Sequence, residues 1–88
     1  MKVTKKDLTA TIDRLNRVTN SPETPWKRVD GRNVAQIGNY HLSEAYGGYE
    51  LCQMMSEGGG VSDTLKSGHV PKKELYNLIH AFLRGIED

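Results

Sequence analysis

The feature that most constrains this chain is an apolar stripe near its C-terminus. Leu75, Leu78, Ile79, Phe82, Leu83 and Ile86 recur at i, i+3, i+4 and i+7. That period describes an α-helix with one face to bury, and Pro71 is placed for its first turn. A lone helix of this length is marginal in water, so the rest of the chain must supply the surface it lies on. The stripe is therefore expected to be the heart of the core, with Phe82 buried in it. A shorter stripe stands at the other end, where Leu8, Ile12 and Leu15 recur with Val18 at the edge. Thr4 is suited to cap this helix, Asp7 completes a capping box, and Val3 can staple against Leu8. Asn20-Ser21-Pro22 stops it, so the first helix is expected over residues 4–19.

The segment between the stripes carries strand signals. Trp26–Val29 and Asn33–Ile37 flank Asp30-Gly31, a dipeptide suited to a tight hairpin. Tyr40–Tyr46 and Tyr49–Met54 alternate apolar and polar residues around Gly47-Gly48, which permits the positive φ of a second hairpin turn. Ser56 to Gly68 reads as irregular, beginning with Gly58-Gly59-Gly60. The expected fold is a single small α+β domain over residues 1–88. It has a three- or four-stranded antiparallel sheet flanked by an N-terminal and a C-terminal helix, in the order α-β-β-(β)-β-α. A domain this size buries only about 60–65% of its unfolded surface, leaving little room for a deep cavity. A homodimer sharing a cavity would relieve that limit.

Charge narrows the function classes. Twelve Lys+Arg against eleven Asp+Glu give a net charge of +1, which disfavours a generic phosphate-backbone binder while permitting a local basic patch. Cys52 is the sole cysteine, so no intrachain disulfide forms and a reducing compartment fits best. The charged start Met1–Asp7 lacks the apolar run of a signal peptide, and no stretch approaches a membrane span. A cytoplasmic protein without membrane contact is the expectation.

Two groups of residues could carry a site. Gly58, Gly59 and Gly60 are followed by Val61-Ser62-Asp63 rather than by the Lys-Ser or Lys-Thr of a phosphate loop. A flexible turn accounts for them, and a backbone nest holding an anion or a protein partner is the functional alternative. Lys66, His69, Lys72 and Lys73 lead into the second helix, where cations oppose the macrodipole but would help to hold an anion. Gly58, Gly59, Gly60, Ser62, Lys66, His69, Lys72 and Lys73 thus form a candidate edge for an anion or a partner. Tyr46 and Tyr49, around the glycine turn, are candidate interface aromatics, with cross-strand packing as the structural alternative. His41, His69 and His80 share no metal-ligand spacing, and Cys52 sits on a strand suited to burial. No catalytic set, metal site or cofactor is expected.

Ile37–Tyr49, together with Gly59–Asp63, Lys73–Asn77 and Ala81–Gly85, resembles small uncharacterised proteins of tailed bacteriophages and prophages. The resemblance implies an accessory protein acting in the host cytoplasm. Such a protein binds or neutralises a host or defence protein, or a small nucleotide signal, without turnover. The chain is also similar to the double-stranded-RNA-binding domain, in its helix–strands–helix order and in Lys72-Lys73 at the start of the second helix. That family's third lysine, expected near Tyr76, is missing, as is its Gly-Pro-His-type loop. This second likeness implies nucleic-acid binding through the Lys66–Lys73 patch. A non-enzymatic phage-type binding protein is the leading expectation and a nucleic-acid binder the alternative.

Overall fold

Thr4 opens the first helix: its Oγ1 accepts the Asp7 N–H at 3.1 Å, and its own N–H donates to Asp7 Oδ2 at 2.9 Å. The bond from the Thr4 N–H, above all, holds the Asp7 carboxyl below its ordinary range. The computed structural model describes residues 2–87, in which seven elements follow one another. They are α1 (Lys5–Val18), β1 (Trp26–Val29), β2 (Arg32–Ala35), β3 (Tyr40–Ala45), β4 (Gly48–Met54), β5 (Val61–Asp63) and α2 (Lys72–Glu87). The protein is α+β with a helix at each end. No helix among the described residues is long and apolar enough to cross a membrane.

β3, β4 and β5 form an antiparallel sheet in that order. The β3–β4 register sets Tyr40 opposite Gln53, Leu42 opposite Leu51, and Glu44 opposite Tyr49. Because side chains alternate along a strand, these residues share one sheet face, and both helices cover it. Leu8, Ile12 and Leu15 of α1 meet Leu75, Ile79 and Leu83 of α2 over Tyr40 and Leu51. Arg14 joins the two helices at the surface through both carboxylate oxygens of Glu87, at 2.7 and 2.9 Å.

Three details depart from the sequence-based picture. First, the strands divide into two sheets, because β1 and β2 pair only with each other. Gly38, at φ +95, turns the chain away after β2, and its N–H donates to the Met54 carbonyl to start the larger sheet. Second, β5 arises within the stretch read as irregular. Met55 N–H donates to Gly60 O at 2.8 Å, returning Val61–Asp63 alongside β4. Third, Phe82 is only partly buried, edge-on to Tyr40 with centroids 6.3 Å apart, and the centre of the core is Leu75, Ile79 and Leu83. Leu78 and Ile86 sit at the rim, 37% and 39% exposed. Pro71 lies just ahead of α2, where its carbonyl accepts the Leu75 N–H.

The β1–β2 ribbon stands out from the body, with every residue of β1 exposed. The radius of gyration is 13.1 Å, against about 12 Å for a globular domain of this length. Contacts at its base tie it down: the Trp26 ring lies over Gly59, and Ala35 N–H donates to Glu57 O at 3.2 Å.

Candidate functional site

The β3–β4 turn is built from Tyr46 and Gly47, at φ +53 and +74. Two consecutive left-handed residues match the right-handed strand twist, which is why such turns favour Asn, Asp and Gly. Tyrosine is unusual there, and this one is 99% exposed. The expected Gly47-Gly48 turn is therefore displaced by one residue, and Gly48 instead opens β4. Gly48 is required for space, since a Cβ there would lie 2.9 Å from the His69 carbonyl carbon.

That close approach brings His69 to the turn. Its ring meets Tyr46 edge-on, with centroids 5.9 Å apart. Val70 then exchanges two backbone hydrogen bonds with Tyr49, at 2.8 and 2.9 Å. Tyr49 packs against the core, and the Lys72 ammonium stands 5.9 Å from its ring centroid. Tyr46, Tyr49, His69 and Lys72 thus gather at one end of the sheet. Lys66 and Lys73 are exposed, Lys66 within a tight turn closed by its N–H on Asp63 O.

The remaining candidates lie elsewhere. Gly58–Gly60 join β4 to β5 beyond Met54, while Gly48 and His69 mark the other end of β4. Seven extended residues separate those ends by about 20 Å. Gly59 N–H donates to Ser56 O and Gly60 N–H to Ser56 Oγ, so both donors serve the turn itself. Ser62 lies in β5 opposite Gln53. The edge that is continuous in sequence is thus divided between two ends of the sheet.

A polar cluster that the sequence did not reveal holds His69 in place. On the sheet face away from the helices, Ser43 lies opposite Glu50 and Cys52 follows on the same side of β4. Glu50 accepts the Cys52 thiol at 3.0 Å and lies 3.7 Å from His69 Nδ1, and Ser43 Oγ is 3.4 Å from His69 Nε2. Burial, then the Glu50 carboxylate, pushes the Cys52 thiol up to about 12. It is protonated at neutral pH, the opposite of an activated thiolate. Alternation along β4 places Glu50 and Cys52 together, but only the return of the 64–70 loop across the sheet adds His69. His41 is held below its ordinary range by burial, and the His80 ring lies tilted by 51° against Tyr76, with centroids 4.3 Å apart. Among the described residues, no three His, Cys, Asp or Glu are placed to hold a metal ion. Comparison with protein-family models, curated proteins and solved structures finds no match to this chain.

Proposed function

We propose that this is a non-catalytic binding protein that docks on a partner protein through the Tyr46 turn. The observation that carries the proposal is a fully exposed tyrosine in a backbone conformation that tyrosine disfavours. Strain of this kind persists only where the surroundings impose it, and it concentrates at functional positions. Tyrosine is also a preferred interface anchor, because it offers a large, rigid surface with a polar tip. Tyr49, His69 and Lys72 supply a supporting aromatic and cationic rim. The turn protrudes, which suits a protein groove better than a small ligand that needs a concave pocket. The resemblance to phage and prophage proteins supplies the proposed setting, a host or defence protein in the host cytoplasm.

A photo-crosslinking phenylalanine analogue at position 46, introduced in host cells, tests the proposal. The expected result is one discrete protein adduct that is absent when the same group replaces exposed Val29. Tyr46→Gly, which removes the ring and relieves the positive φ, should remain folded and lose the biological effect. Equal labelling from both positions, or a Tyr46→Gly protein with full effect, overturns it.

A further inference from the structure

The free edge of β3 carries a second opportunity for binding. Tyr49 spends its backbone N–H and C=O on Val70, so in the antiparallel ladder the groups of its partner Glu44 point away from β4. The same phase applies every second residue, and it turns the groups of Leu42 and Tyr40 outward too. Tyr40 is already satisfied. Its N–H donates to Asn16 Oδ1 at 2.8 Å, and its carbonyl accepts Asn16 Nδ2 at 2.9 Å. One carboxamide therefore makes the pair of bonds that a neighbouring strand would make. Leu42 has no such partner among the described residues.

A slot of about 160 Å³ opens beside this edge, between Ile12 and Asp13 of α1, Glu23 and Pro25 of the next loop, and Tyr40, His41 and Leu42. Tyr40 and Leu42 share the sheet face that α1 covers, and His41 between them, its side chain on the other face, reaches the slot through its backbone. A neighbouring hollow of about 230 Å³ shares Asp13 and Glu23 and is closed by Asn16, Arg17 and Thr24. Neither Asp13 nor Glu23 has an ion-pair partner among the described residues. An open strand edge thus faces two unpaired carboxylates.

From this juxtaposition we infer that the slot receives an extended segment of a partner polypeptide. The segment adds to β3 at Leu42 and places a lysine or arginine between Asp13 and Glu23. Backbone pairing supplies the attachment and the carboxylates supply the selectivity. The site is separate from the Tyr46 turn and stands independently of it.

The test uses the full chain, ¹⁵N-labelled, titrated with blocked pentapeptides of alternating valine and threonine around a central lysine or a central glutamate. The lysine peptide should shift the Leu42 amide resonance downfield in a saturable way and slow its hydrogen exchange. The glutamate peptide should bind about tenfold more weakly, as should the lysine peptide to an Asp13→Asn, Glu23→Gln protein. Methylating the peptide nitrogen that faces Leu42 should remove the shift. Absence of any Leu42 response at millimolar lysine peptide overturns the inference. Equal binding of the two peptides, or undiminished binding to the double variant, overturns it as well. So does a Leu42 shift that grows with protein concentration alone, which would assign the edge to a second copy of this chain.

Discussion

At position 47 a Cβ would meet nothing within 4 Å, yet φ is +74; at 48 a Cβ would lie 2.9 Å from the His69 carbonyl carbon. The two glycines answer different demands, so their alanine variants should differ. Gly47→Ala is expected to cost about 1 kcal/mol, the strain of a left-handed alanine. Gly48→Ala must displace backbone, and it should cost roughly 1–3 kcal/mol while moving His69 away from Tyr46 and Glu50. Thermal melts give the first comparison, and the His69 ring resonances give the second. An unshifted His69 in Gly48→Ala would mean that the loop yields elsewhere. The Gly-Gly dipeptide announces a turn, but its placement one residue earlier was hidden. Local preference seldom puts a tyrosine at positive φ, and the contact that excludes a side chain at 48 comes from 21 positions along the chain.

α2 shows what periodicity conveys and what it omits. Six apolar residues mark a helix and its inward face, but the stripe is broader than the surface it meets. Contact with α1 and β4 selects Leu75, Ile79 and Leu83, one turn apart, and leaves Leu78, Phe82 and Ile86 along one border. Ile79→Ala should therefore cost about 2–5 kcal/mol, with little room for the site to collapse. Phe82→Ala, which opens onto solvent, should cost less, roughly 1–3 kcal/mol. Urea denaturation of the pair decides the order, and a larger loss at Phe82 would relocate the core centre toward Tyr40. β5 was invisible for a simpler reason. Val61-Ser62-Asp63 is too short to show alternation, and it becomes a strand only because the Ser56–Gly60 turn brings it beside β4.

Over the whole molecule, the fold class and both terminal helices were legible, whereas the division into two sheets was not. Gly38-Asn39 is compatible with either a continuous meander or a break, and only the bond from Gly38 to Met54 selects the break. The candidate site suffered in the same way: residues 58–73 are contiguous in sequence but straddle the length of β4. An isolated hairpin is marginal in water, so the β1–β2 ribbon should be the least protected strand pair. Trp26→Ala removes the ring from above Gly59. It should speed amide exchange across residues 27–34 while leaving Leu75, Ile79 and Leu83 at their original protection. Hydrogen-exchange mass spectrometry reads both regions at once. A parallel loss of protection in α2 would show that ribbon and body open as one unit.

Asn16 has a consequence for how the chain is made. Its carboxamide closes the β3 edge at Tyr40, and the two residues are 24 positions apart with Asn16 first. During synthesis the cover is present on the growing chain before the strand it covers has been assembled. Nascent chains on one messenger are crowded, and a bare strand edge at that moment invites pairing between neighbours. Here the Tyr40 position of the edge can be met from within the same molecule as soon as it forms, by a residue of α1, whose capping box favours helix at its start. The order of residues along the chain thus puts the intramolecular partner on hand before the position it covers.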